Sequence, residues 1–234
     1  MNKGNLYIFI YSVVMVVIVA ILLSAVAMGL KPAQDKNVEI EKKQNILASV
    51  RIIAEKEKTE ELYEKYIAES FVINTKGEVQ DGVVAFDVSL KEELAKSVED
   101  RFLPVYVFHD GDKKFYIVPT YGKGLWGPIW GYLSFEPDFN TIYGVTFDHK
   151  GETPGLGAEI NQDWFQKPFE GKQIFDETGK FVSVMVVKGK SNPDSKHEVD
   201  AISGGTITSK GLEAMLKDCL VNYQTFFKSQ TTKE

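Results

Sequence analysis

The sequence predicts an α+β fold: one N-terminal transmembrane helix, then a domain built on a mainly antiparallel sheet with packed helices. Three observations carry this reading. Residues 6–30 hold no charged side chain and are dominated by Val, Ile, Leu, Ala and Met, longer than the about 20 apolar residues a bilayer crossing needs. From residue 103 onward, short apolar runs alternate with turn residues in the pattern of hairpins. Near the C-terminus, Leu212, Met215, Leu216, Cys219, Leu220, Tyr223 and Phe227 fall on one helical stripe.

Taken in order, the first run reads as a retained anchor. Ala25-Val-Ala27 resembles a signal-peptide cleavage site, but the basic region ahead of it is only Lys3 and the apolar core exceeds the usual roughly 7–15 residues. Lys31, Lys36, Lys42 and Lys43 follow the span, and the positive-inside rule alone favours a cytoplasmic C-terminal domain; large domains are nevertheless exported against a modest charge bias. Residues 38–71 read as helix in two segments. Ile46, Leu47, Val50 and Ile53 mark the first, and Leu62, Tyr63, Tyr66 and Ile67 the second. The charge run 55–61 between them is a solvated turn or helix face. Gly77 and Gly82 break the pattern, and residues 91–101 form a further short helical candidate.

Strand signals follow. Residues 104–108 and 114–119 flank the turn His109-Asp-Gly-Asp112, and 130–136 and 141–148 flank Pro137-Asp-Phe-Asn140, giving two antiparallel pairs. A short helix is expected over 162–169, an apolar strand over 181–187 and a helix over 210–227. The domain reading is therefore an anchor over 1–31, a helical connecting region over 32–101 and a sheet domain over 102–234.

Composition narrows the function. The 234 residues are 44% hydrophobic with a net charge of −6 and show no basic patch interleaved with aromatics, which argues against nucleic acid. Cys219 is the one cysteine, so disulfides, thiolate zinc sites and iron–sulfur clusters are not expected of this chain alone. His109, His149 and His197 have no second ligand at helical spacing, and no metal or haem site is expected.

Two glycine-rich stretches stand out. The segment Gly122-Lys-Gly-Leu-Trp-Gly-Pro-Ile-Trp-Gly131 lacks the Gly-Lys-Ser/Thr ending of a phosphate-binding P-loop. Its glycines, Trp126 and Trp130 suggest backbone passing close to a flat group or a neighbouring sheet, or a loop whose tryptophans fill the core. The segment Gly151-Glu-Thr-Pro-Gly-Leu-Gly157 follows an antiparallel hairpin and has Ile160 where a dinucleotide fingerprint needs glycine. It reads as a tight turn exposing the Glu152 carboxylate, the Thr153 hydroxyl and the Leu156 side chain, either a seat for an aromatic heterocycle or a plain Pro-Gly turn.

The third stretch is Asp200-Ala-Ile-Ser-Gly-Gly-Thr-Ile-Thr-Ser209, at the mouth of the last helix. Thr206 stands where free backbone N–H groups and the positive dipole end collect, which suits a phosphate. A threonine hydroxyl needs a base to become a nucleophile, and no His, Lys or Glu adjoins Thr206. Gly204 and Gly205 leave the backbone open to a bulky phosphate or another active site. Ser203 and Thr208 are candidates to bond the phosphate or cap the helix, and Asp200 to orient the loop. The residues alone leave two readings: an ordinary helix start, or an acceptor of modification.

Asp200-Ala-Ile-Ser-Gly-Gly-Thr206 resembles the flavinylation motif of FMN-binding domains, in which an Asp is followed after two residues by Ser or Thr, Gly, a small residue and the acceptor hydroxyl. The small residue is usually Ala, and Gly205 in its place is expected to loosen the loop. Tyr121-Gly-Lys-Gly-Leu-Trp126, Thr141-Ile-Tyr-Gly144 and His149-Lys-Gly-Glu-Thr-Pro-Gly-Leu-Gly157 are similar to further signatures of the C subunit of the sodium-translocating NADH:quinone reductases. The G subunit of the related Rnf electron-transport complex has the same domain, and the Gly-Leu-Trp-Gly block favours the quinone reductase. A membrane-anchored binding or assembly protein without redox chemistry is the reading from another class.

The resemblance implies an FMN-binding domain carrying FMN as an electron carrier, joined through its phosphate to Thr206 by a separate Mg-dependent flavin transferase that uses FAD as donor. Ser203, Gly204, Gly205, Asp200 and Thr208 surround that attachment; Glu152, Thr153, Leu156 and Gly157 line the flavin, with Trp126 and Lys188 as further candidates. It implies a bacterial inner-membrane protein with its domain on the periplasmic side, partnered by the other subunits of an NADH:quinone reductase. NADH, quinone and sodium sites are then expected in those partners, since a single uncharged span offers no ion path.

Overall fold

Helix α1 (Lys3–Ser49) carries the apolar run, with Pro32 inside it. Among the residues described in this computed structural model, 3–231, its N-terminal part is the one helix long and apolar enough to cross a membrane, by length and composition. The chain divides after Lys42 into this helical unit and a domain that begins at Lys43.

In the domain, Ile46 and Leu47 are fully buried. The helix stops because Arg51 turns left-handed, at φ 65°, and Ile52 N–H returns to the Leu47 carbonyl at 3.0 Å. Ile53 therefore leaves the apolar stripe on which its spacing placed it and is 92% exposed. The Ser49 carbonyl accepts the Ser134 hydroxyl at 2.5 Å, and Arg51 bonds the Tyr143 carbonyl at 2.6 Å and pairs with Glu170 at 2.9 Å.

Helix α2 (Thr59–Tyr66) starts where Thr59 bonds back to the Glu55 carbonyl. The helix expected to reach residue 71 ends here, because Phe71, Val72 and Ile73 belong to strand β1 (Glu69–Ile73). Their aromatic and β-branched side chains fit a pleated surface better than a helix. Strand β2 (Val79–Gln80) pairs with β1 across a turn in which the Asn74 carboxamide oxygen accepts the Lys76 and Glu78 N–H groups. Residues 32–101 thus supply two strands as well as helices, the last of them α3 (Leu90–Ala95).

Strands β3 (Leu103–Asp110), β4 (Lys113–Lys123), β5 (Pro128–Phe135) and β6 (Ile142–His149) complete a six-stranded sheet of order β2-β1-β3-β4-β5-β6. Every neighbouring pair in it is antiparallel. The strand alternation sorts two cores. Ile73, Val105, Val118 and Leu133 face one, and Val72, Tyr106, Ile117 and Tyr132 face the other, together with Ile46, Leu47 and Val50.

Helix α4 (Asp163–Gln166) continues into a 3-10 turn over Lys167–Phe169, as the sequence predicts. The apolar run 181–187 is strand only over β7 (Met185–Val187), since Ser183 at φ 62° breaks the extended chain ahead of it. It pairs in parallel with β8 (Glu198–Asp200). Helix α5 (Thr206–Thr231) lays its stripe, Leu212 to Phe227, into the first core, and Tyr223 bonds the Pro104 carbonyl at 3.1 Å.

Candidate functional site

The start of α5 is shaped by its own backbone. Gly204 is left-handed at φ 78°, Gly205 N–H bonds the Ile202 carbonyl at 3.1 Å, and Ser209 N–H bonds the Gly205 carbonyl at 2.9 Å. The fully buried Ser209 side chain reaches back to accept the Ile202 N–H at 3.1 Å. Thr206 is the first helical residue and its side chain is exposed, as is that of Ser203. The first N–H groups of a helix have no acceptor within it, so those of the opening turn present partial positive charge beside Thr206.

Gly205 is buried and closely held. A Cβ on it would lie 2.9 Å from the Ile202 Cγ2 and 3.2 Å from the Leu156 carbonyl carbon. The expected loosening of the loop is therefore not found: glycine here is the residue that fits a close approach. A Cβ on Gly204 would lie 2.6 Å from the Leu156 Cδ2, so the 152–157 turn rests directly on the loop before Thr206.

That turn is tied to α5 by a buried carboxylate. Glu152, expected to expose its carboxylate, is 5% exposed. Its Oε2 accepts the Thr208 hydroxyl at 2.6 Å and its Oε1 accepts the Trp126 N–H at 2.8 Å. A carboxylate is stable out of water only where such donors replace its hydration, and these come from two other segments of the chain. Gly124 and Gly157 make room for it, since a Cβ on either would collide with a carboxylate oxygen. The Glu152 N–H in turn bonds His149 Nδ1 at 3.2 Å. Thr208 thus spends its hydroxyl hydrogen inside the protein. Thr153 shows its side chain to solvent while its carbonyl accepts the Leu156 and Ala158 N–H groups, both at 3.1 Å.

Trp126 sits at the tip of the β4–β5 hairpin, closed by the Gly124 N–H to Gly127 carbonyl bond at 2.8 Å. The residue is 70% exposed, so it does not fill the core. The glycines of this stretch serve packing: Gly122 lies under Met215 of α5, and Gly131 against Thr146 and Phe147 of β6. Gly211 brings the helix backbone onto Lys123, which seats the first turns of α5 beside the hairpin. Leu125, Leu156 and Ile207, on the hairpin tip, the turn and the helix start, are exposed large apolar residues.

Asp200 lies on the small sheet and Lys188 just beyond it. Val187 pairs with Asp200, and Ala201 N–H bonds the Val187 carbonyl at 2.8 Å, so the exposed Lys188 follows directly after the strand end. The Asp200 carboxylate accepts the Ser191 N–H at 2.6 Å, and that bond holds it below the usual carboxylate range. Two participants escape sequence reasoning. Ser209 carries a weak signal, a hydroxyl in the first turn of a glycine-led helix; Ile207 carries none beyond its break from the buried stripe.

Residues 124–221 match the family of FMN-binding domains, a span that holds the hairpin tip, the 152–157 turn and the loop that leads into Thr206. The chain is 33% identical to the C subunit of the Na(+)-translocating NADH-quinone reductase of Haemophilus ducreyi, over 88% of its own length and 85% of the relative's. Against the corresponding protein of Neisseria meningitidis the identity is 34%, over 84% and 82%. The crystal structure of the same reductase component from Parabacteroides distasonis superposes with a TM-score of 0.78 at 43% identity, covering 85% of this chain and 96% of that one. For Shewanella oneidensis NqrC the values are 0.71 and 29%, covering 86% and 99%. Fold, site segments and relatives agree, and the chain belongs to the family of Na(+)-translocating NADH-quinone reductase C subunits.

Proposed function

We propose that this chain is the electron-carrier component of a membrane-bound, sodium-pumping NADH:quinone reductase, and that it holds FMN through a phosphoester to Thr206. The observation that carries this is the exposed Thr206 hydroxyl at the start of α5, in a loop packed against the Leu156 turn. The residues fit the group: a hydroxyl free of the core, helix N–H groups for a phosphate, and exposed apolar side chains nearby for a flat ring system.

In this reading the Thr206 oxygen forms the new bond to phosphorus while the pyrophosphate bond of FAD breaks. AMP leaves, and the flavin transferase takes the hydroxyl proton, in keeping with the absence of a base adjacent in sequence. Ser203 and the first N–H groups of α5 hold the phosphate, and Gly204 and Gly205 let the loop before Thr206 pack closely on Leu156 and Ile202. Lys188 and Asp200 flank it. Trp126, Thr153, Leu156 and Gly157 border the ring system; Glu152 and Thr208 brace that border from inside. Bound FMN supplies one-electron chemistry, and the protein supplies tether, position and electrostatics.

The chain then stands between an iron–sulfur centre and a flavin of neighbouring subunits, anchored by residues 1–31 in the bacterial inner membrane. The domain that begins at Lys43, in which strands from residues 32–101 share one sheet with those of residues 102–234, then lies on the periplasmic side. There a covalent link keeps the cofactor from being lost. The relatives carry the name of the quinone reductase, which supports that complex over the Rnf G subunit. The test is mass spectrometry of the full chain made with a flavin transferase. The peptide containing Thr206 should gain the mass of FMN less water, Thr206→Ser should keep the gain and Thr206→Ala should lose it. An unmodified wild-type peptide would overturn the reading.

A further inference from the structure

Glu152 braces the border of the site, yet a neutral side chain could brace it too. Its two oxygens each accept one hydrogen bond, from the Thr208 hydroxyl at 2.6 Å and from the Trp126 N–H at 2.8 Å. Acceptance at both oxygens is the pattern of an ionised carboxylate. Among the described residues no Lys, Arg or His nitrogen stands within ion-pairing distance of it. Gly124 and Gly157 bring backbone against its two oxygens, and almost none of its surface is left to water. What faces the charge is the start of α5, whose free N–H groups are only partly positive. Thr206 is the first residue of that helix and Thr208 the third. At a rise of about 1.5 Å per residue, the carboxylate lies within roughly 10 Å of the oxygen that would bear an attached group.

We infer that Glu152 is a fixed negative charge that lowers the reduction potential of the flavin. This rests on the covalent-flavin reading above and deepens it. The step concerned is a one-electron transfer: a one-electron centre of a neighbouring subunit is oxidised, the FMN ring system gains the electron, and no proton leaves or reaches Glu152. The incoming negative charge meets one already in place, and where water is excluded the repulsion is weakly screened. At roughly 10 Å and an effective dielectric of about 20, one charge changes the equilibrium about tenfold, which for one electron is about 59 mV.

The experiment loads the full chain in detergent with a flavin transferase, Mg and FAD. The midpoint potential of the first electron is read from the flavin absorbance during a mediated reductive titration, beside the urea midpoint of the unloaded chain. Glu152→Gln removes the charge at nearly constant size and should raise the potential by the equivalent of about tenfold in the equilibrium. Glu152→Asp keeps the charge and should stay within about threefold of wild type. Thr208→Val keeps the charge but removes one donor, so it should lower the urea midpoint without raising the potential. A residue that only braced would shift the potential alike in Thr208→Val and Glu152→Gln.

A Glu152→Gln chain with the wild-type potential overturns the inference, as does a rise in Thr208→Val or Glu152→Asp equal to that of Glu152→Gln. If Glu152→Gln does not fold or takes up no flavin, the Glu152→Met/Thr208→Val double variant decides by the same rise, since it removes the carboxylate together with its hydroxyl donor. Failure of both to yield a flavinylated chain also overturns the inference, because the carboxylate would then be a requirement of folding or attachment. A wild-type chain that gains no FMN refutes the covalent reading itself, an outcome that the mass of the Thr206 peptide reports before any titration.

Discussion

The Thr208 hydroxyl donates to Glu152 at 2.6 Å, a buried bond that spans 56 residues of sequence. It joins the first turn of α5 to the turn beneath the loop before Thr206, and Glu152 passes the link on to the Trp126 N–H. Thr208→Val keeps the shape and removes the donor, leaving one carboxylate oxygen buried without it. The expected cost is about 1–3 kcal/mol, measured as a lower urea midpoint with an unchanged slope. A variant as stable as the wild type would show that the oxygen finds another donor.

Gly204→Ala meets two penalties. The residue sits at φ 78°, where an L side chain costs about 1 kcal/mol or more. The new methyl also falls 2.6 Å from the Leu156 Cδ2. Stability should drop, and Leu156→Ala in the same chain should recover the steric share while the backbone share remains. Equal losses with and without Leu156→Ala in the background would mean that the backbone conformation accounts for the whole effect.

Cys219 gives a pH-dependent signature. Burial pushes its thiol up to about 12. In the unfolded chain a thiol ionises near its ordinary value of about 8.5, so above that pH the unfolded state binds fewer protons. The stability contributed by keeping the thiol protonated in the folded state is lost as pH rises from there towards 12. The urea midpoint should therefore fall more between about pH 8 and about pH 10.5 for the wild type than for Cys219→Ala. At about pH 8 a thiol reagent should label the protein only after unfolding; rapid labelling of the native chain would refute the burial.

The elements written in local pattern are legible in the sequence: the apolar N-terminal run, the two hairpins and the α5 stripe each depend on neighbours a few residues away. What escapes depends on distant partners. Glu152 looks like a surface carboxylate until Thr208 and Trp126 come to it, from 56 and 26 residues away. Ile53 fits the helical stripe, but Arg51 ends the helix first while bonding Tyr143 and Glu170. Gly205 reads as slack in a motif that usually has Ala, and only Ile202 and the Leu156 backbone show it to be a tight fit. Spacing puts Phe71 on a helix because spacing alone does not report the pairing of β1 with β3.

The Glu152 bonds also set a limit on what can be cut away. A synthetic peptide of residues 200–209 would contain the whole loop around Thr206 and none of its walls, since Leu156, Gly124 and the Glu152 carboxylate arrive from elsewhere. The smallest piece able to rebuild the surroundings of Thr206 must run at least from the hairpin tip to the first turn of α5. It must also include the strands that carry both ends.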